Sequence, residues 1–404
     1  MDINLKAKGN SVLRTKDIQQ AIDACSHNGG GHIYFEAGVY PIGTIYLKSN
    51  VHLRLDNRTI IQGSASINDY TQDTHKQMYR NETHMDRCLI FAKDCKHISI
   101  VGGVFDGQGE TFKGDRPMMF RYLGCEDIRI EEVKMINPAS WTNAFIQCKH
   151  IRISHIDIHS RANKNGDGLD FDACENVFVH HSTFNCSDDC ICVQNSSTSH
   201  ACANIFIDHN VFESKWAGIR IGLLSTGVIE HVFVSNCSFK NIACSGLKIQ
   251  SSEGALIHHI HCSHLSMDKV RRPFFITLNH YRENVNYADE PINTKSQLSR
   301  ITVSDIYATT FDNNALPNCM IIDAEPGNTI EDIVLRNIHY TVYGNSTYEE
   351  RQIPYLGHTR AEAYTYEGDL PASGLFARNV KGLHYEGIKI NTKQKDCRKE
   401  IVQV

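Results

Sequence analysis

The chain has 404 residues, 41% of them hydrophobic, with 27 glycines, a formal net charge of −5 and a pI near 6.5. That balance leaves no basic footprint for nucleic acid, and no stretch approaches the roughly 20 apolar residues of a membrane-spanning helix. Fifteen cysteines, an odd number, cannot all pair within one chain.

The start, Met1-Asp2-Ile3-Asn4-Leu5, has no basic segment leading into an apolar run. This sets the expectation of a cytoplasmic protein with reduced thiols. From Thr15 to Cys25, apolar Ile18, Ala21 and Ile22 recur at helical spacing, which predicts an amphipathic helix capped by Thr15 or Asp17. Gly29-Gly30-Gly31 and an extended His32–Phe35 follow, so residues 1–50 read as an N-terminal cap and first coil.

A short β-branched strand with a cysteine just ahead of it then recurs. It starts at Cys95, Cys125, Cys148, Cys174 and Cys202, and again at Ile229, Leu298 and Ile330 with an aliphatic residue in the cysteine slot. Such strands alternate with period two and cannot bury an apolar face alone, whereas stacked coils can. The cysteines are expected to form an internal ladder of small hydrophobes. A second register runs through Asp167-Gly-Leu-Asp-Phe, Asp189-Cys-Ile-Cys-Val, Ala217-Gly-Ile-Arg-Ile and Ser245-Gly-Leu-Lys-Ile, at intervals of 22, 28 and 28 residues. Arg272-Pro-Phe-Phe-Ile continues it, and Asn143 and Arg116 precede it more loosely. The fold class is therefore all-β: a parallel β-helix forming a single domain over 1–404, with inserted loops at 281–299 and 343–372.

In that register the third and fifth places are apolar and face inward. The second (Gly168, Cys190, Gly218, Gly246) is small, as close ligand approach would need. The fourth (Asp170, Cys192, Arg220, Lys248) lies on the outer face, as does Gln250. Arg116, Asn143, Asp167, Asp188, Asp189, Arg220, Lys248 and Arg272 are expected on one groove. Gathering carboxylates raises at least one pKa, which suits glycoside hydrolysis: one acid protonates the leaving oxygen and another carboxylate activates water. Turn-bonding aspartates or a calcium site would use the same residues. The 22 histidines, His258-His259 included, show no ligand spacing such as His-Glu-x-x-His, so neither metal nor other cofactor is expected.

The chain resembles the polygalacturonase-like glycoside hydrolases of family 28 over nearly its whole length. The resemblance runs through Ala7–Gly9, Gly29–Gly31, Leu47–Val51, Phe105–Gly109, Asn137–Trp141 and Leu370–Leu375. It implies a right-handed parallel β-helix, a pectin-lyase-like solenoid with a short N-terminal capping helix. Asn165-Gly166-Asp167 matches the family's Asn-x-Asp motif, and Ser187-Asp188-Asp189 matches Gly-Asp-Asp with its glycine changed. By resemblance Asp188 is the general acid, Asp167 and Asp189 hold and activate water, and the anomeric centre inverts without a metal. Two motifs depart: Gly-His-Gly reads Trp216-Ala217-Gly218, so its histidine is absent, and Arg-Ile-Lys reads Lys248-Ile249-Gln250.

Asn165, Trp216, Arg220, Lys248, Gln250 and Arg272 are the candidate substrate-binding residues. Arg220 is a candidate to replace the lost cation on a sugar carboxylate. A neutral sugar, with Gln250 on a hydroxyl and Trp216 on a ring face, is the alternative. The expected partner is an oligosaccharide or polysaccharide of pectin-related or other plant type, trimmed in exo fashion, and neither nucleic acid nor membrane. A β-eliminating lyase and a non-catalytic carbohydrate-binding β-helix are the rival readings. Oligomeric state is not legible.

Overall fold

The computed structural model describes residues 1–9, 12–74, 86–280, 295–312, 319–344, 346 and 370–404. Most of the expected loops 281–299 and 343–372 lies outside these residues. The chain forms two compact units, Met1–Asp188 and Asp189–Val404, and each is a stack of parallel coils, the β-helix class expected from the repeat.

In the first unit three sets of strands recur. Cys88–Lys93, Met118–Leu123, Asn143–Ile146 and Leu169–Asp172 pair in parallel, with Phe120, Asn143 and Leu169 in one column. A second set, Lys96–Val101, Glu126–Glu131, Lys149–Ser154 and Glu175–His180, stacks Ile98, Ile128, Ile151 and Val177. The third runs through Val104–Asp106, Lys134–Ile136, Asp157–Ser160 and Thr183–Cys186. Inward columns are filled by like side chains. Tyr122 stacks on Phe145 with ring centroids 4.8 Å apart, and Phe145 on Phe171 at 5.2 Å.

The helix covers Thr15–His27 and buries Ile18, Ala21, Ile22 and Cys25, the face that the spacing predicts. Its cap differs from expectation: Arg14 is the N-cap and no side chain caps the helix. The Thr15 hydroxyl instead accepts the Gly43 N–H at 2.8 Å, and Asp17 binds Lys8 and Arg14. Tertiary partners outcompete the local cap for both side chains.

In the second unit Cys202, Ile229, Ile257 and Leu298 stack in one column, with Ile330 continuing it. The cysteine slot and its aliphatic replacements are thus one ladder position. In the first unit the Cys125 N–H donates to Cys148 Sγ at 3.4 Å. Fourteen of the fifteen cysteines are buried and Cys397 is half-buried. Within the ladder, the hydrogen bond with Cys148 lifts the Cys125 thiol to about 12, and burial pushes that of Cys148 well up. Thiolate is the reactive form, so the ladder is protected twice over. In a thiol-reagent titration the native protein should give one fast-reacting group, Cys397, and the unfolded protein all fifteen. Several fast native thiols would show that the ladder is not sealed.

Strands of both units bend at residues held in the left-handed region. His97, Asp127, His150 and Asn176 in the first unit, and Asn204, His231, His259, Arg300 and Asp332 in the second, all have φ between 53° and 59°. Asn, Asp and His tolerate this conformation better than most non-glycine residues. Histidine occupies four of these nine bends.

Candidate active site

In the first unit, the run Asn165-Gly166-Asp167 leads into the strand Leu169–Asp172, and Ser187-Asp188 ends the unit one coil later. The Ser187 hydroxyl ties the two together: it accepts the Gly166 N–H at 3.1 Å and donates to the Asn163 carbonyl. Ser160 adds a bond from its hydroxyl to the Gly166 carbonyl at 2.6 Å, and its own carbonyl accepts the Ser187 N–H at 2.9 Å. A Cβ on Gly166 would collide with both hydroxyls, so only glycine fits this turn. Arg116 holds it from the other side, bonding Asn165 Oδ1 at 3.0 Å and the Lys164 carbonyl.

The result is a converged carboxylate pair. Asp167 is buried and Asp188 half-buried, with an oxygen of one no more than 4.8 Å from an oxygen of the other. Asp170 is buried and brings an oxygen equally close to Asp167, while Asp172 is buried on the same strand.

The second unit supplies the remaining candidates. Cys192, Arg220, Lys248 and Phe275 stack in one column through successive strands, as the register predicts. Asp189 is 3% exposed. One carboxylate oxygen accepts the Ala217 N–H at 3.2 Å and the other the Arg220 Nε at 2.6 Å. Arg220, also 3% exposed, donates further to the Gly222 carbonyl at 3.0 Å and Gln194 Oε1 at 3.3 Å. The cation expected to reach for a sugar carboxylate is thus engaged with Asp189. Ala217, at the site of the missing histidine, contributes its backbone amide to the same carboxylate.

Lys248 is buried with its Nζ 5.1 Å from the centroid of the half-buried Trp216 ring. Gln250 donates to Thr277 Oγ1 at 3.3 Å. Arg272 is fully buried, 5.5 Å from the Phe275 ring centroid, and none of its three guanidinium nitrogens has a hydrogen-bond partner among the described residues. A buried guanidinium left this way is costly.

Two expectations need correction. Asn143 does not face a groove: it pairs in register with Leu169, is fully buried, and its Nδ2 donates to the Gly168 carbonyl at 3.2 Å. The second-place glycines serve packing and not ligand approach. A Cβ on Gly218 would strike the Phe239 ring, and one on Gly246 the Met267 side chain. Both neighbours are core residues, Phe239 and Met267 being buried.

Sequence reasoning left Ser187 and Asp170 off the site. Asp170 had a signal, its place in the outward column beside Asp167. Ser187 stood out only as the departure from glycine in an otherwise matching motif.

Comparison with known proteins places the chain. An exopolygalacturonase of Cochliobolus carbonum is 27% identical over 272 residues, covering 62% of this chain and 58% of the relative, so the chain spans little more than half that relative's length. Two solved structures share the fold, each at 17% identity. The exopolygalacturonase of Thermotoga maritima has a TM-score of 0.74, covering 96% of this chain and 91% of that one. The family 28 exopolygalacturonase of Yersinia enterocolitica has a TM-score of 0.76, covering 99% and 78%. They carry the parallel β-helix expected from the sequence. Residues 25–360 match glycosyl hydrolases family 28, and the chain belongs to that family.

Proposed function

We propose that this protein hydrolyses an O-glycosidic bond of a galacturonate-containing, pectin-type chain, from one end and with inversion. The observation that carries the reading is the convergence of Asp167 and Asp188 on a turn fixed by Ser187, Ser160 and Arg116. Such a rigid pair can hold one carboxyl as acid and leave the other ionised. In this reading Asp188, the more exposed of the two, protonates the leaving oxygen, while Asp167 and Asp189 orient the attacking water. Arg220 has a built-in task, holding Asp189 ionised and in place through a charge-assisted bond.

Inversion rests on the family resemblance. The approach of Asp167 to Asp188 is shorter than the ~6.5–9.5 Å usual between carboxyl groups of inverting enzymes. The anomer first released therefore decides between mechanisms.

For the substrate, the positive charge of Lys248 behind the half-buried Trp216 ring favours an acidic sugar, and the indole face packs on a ring. The names of the relatives point to exo action on polygalacturonate. The neutral-sugar reading draws on one observation, the engagement of Arg220 with Asp189, which leaves Lys248 as the cation of its motif. Assay of reducing-end release from oligogalacturonates and from neutral oligosaccharides of matched length separates the two. Turnover of the acidic series alone, with monomer or dimer as first product, is expected. Preference for the neutral series would overturn the uronate assignment.

A further inference from the structure

Outside the candidate active site, the second unit gathers a carboxylate and two imidazoles on neighbouring coils. Glu230, in the strand Val228–Ser235, pairs in register with His258, in the strand Leu256–Val270. Glu230 Oε2 lies 3.7 Å from His258 Nδ1, and His258 Nδ1 lies 2.8 Å from His259 Nδ1. One donor atom from each of the three residues falls within 4.8 Å of the others.

Consecutive residues of a regular strand point to opposite faces. His259 escapes that rule because its φ is 55°, which breaks the alternation and brings its ring to the side of His258. The His231 ring, one coil away and also left-handed, stacks on His259 with centroids 4.9 Å apart and 10° between planes, and so fixes its orientation.

We propose that Glu230, His258 and His259 form a binding site for a Zn2+-class divalent metal, which staples two adjacent coils. Bonds of about 2.0–2.1 Å at tetrahedral angles set donors roughly 3.4 Å apart, and the two measured separations bracket that value. Two imidazole nitrogens and one carboxylate suit zinc, copper or nickel in preference to magnesium or calcium. Three protein ligands leave the fourth position to water. All three side chains are half-buried, which leaves the ion a path in. The proposed role is structural: in-register cross-coil ligands hold the folded form and not the unfolded one.

The test starts from chelator-treated full-length protein titrated with Zn2+ by calorimetry, with Co2+ as a visible-absorption probe of tetrahedral geometry. One Zn2+ per chain, a tetrahedral Co2+ spectrum and a melting temperature that rises with free Zn2+ are expected. His258→Ala and Glu230→Gln should each weaken uptake about tenfold or more, since even outer-shell ligand partners are worth ~10–100-fold. His155→Ala, at a turn of the other unit, should leave uptake unchanged. Circular dichroism and the metal-free melting temperature show whether each variant is folded, and Glu230→Gln removes no side-chain volume. Absence of uptake by the parent, or equal uptake by the parent and the Glu230→Gln protein, would overturn the proposal.

Discussion

Asp188→Asn is expected to lower turnover about 10²–10⁴-fold, the range that general acid–base catalysis contributes, while leaving substrate binding nearly intact. The amide keeps the shape of the carboxyl group but cannot deliver a proton to the leaving oxygen. Asp188 is half-buried at the end of a segment held by the Ser187 bonds to Asn163 and Gly166, so the fold has little reason to respond. The defect should fall on kcat rather than KM, because the interaction lost is one made in the transition state. Reducing-end kinetics, with calorimetric binding of a non-turned-over oligosaccharide, check both halves. A loss smaller than tenfold would move the acid role away from Asp188.

Arg220→Met is expected to cost about 3–5 kcal/mol of stability, the range for removing one partner of a buried ion pair, and to lower kcat as well. The Asp189 and Arg220 side chains are 5% and 4% exposed, and Asp189 accepts the Arg220 Nε at 2.6 Å. Removing the guanidinium takes the charged partner from a buried carboxylate and leaves it the neutral Ala217 N–H and the weak Cys192 thiol donor in this unit. Arg220→Lys should recover only part of the loss, because a single ammonium cannot reach Asp189, Gln194 and the Gly222 carbonyl together. The double variant Arg220→Met/Asp189→Asn should be more stable than Arg220→Met alone, a non-additivity read from denaturant midpoints. Were Arg220 a substrate-gripping residue instead, KM would rise while stability stayed unchanged.

Much of the coil stack is legible in the sequence because it depends on local rules. Alternation with period two places Ile191, Ile219, Leu247 and Phe274 inward, and the structure pairs them in that register. The cysteine slot is legible because Ile229, Leu298 and Ile330 occupy the same place with the same need for small apolar bulk. What the pattern does not carry is the choice of partner across coils. Arg220 and Asp189 are 31 residues apart, and nothing in either run says that one serves the other and not a substrate. Asn143 reads as polar and therefore outward, yet it enters an inner column by bonding the Gly168 carbonyl. Glu230 and His258 are 28 residues apart, too far for a ligand-spacing motif and one coil apart in space. Asp167, Asp188 and Asp189 are candidates because a motif marks them; Ser187 carries no such mark, because its role is a hydroxyl bond that only folding creates.

The most direct measurement is proton NMR of the first product formed from an oligogalacturonate by the parent protein, with Asp188→Asn as the blank. The account predicts that the parent alone releases sugar, and that its anomeric proton first appears with configuration opposite to that of the bond cleaved. Retained configuration would contradict the water-attack roles given to Asp167 and Asp189. Equal release by the Asp188→Asn protein would contradict the site itself.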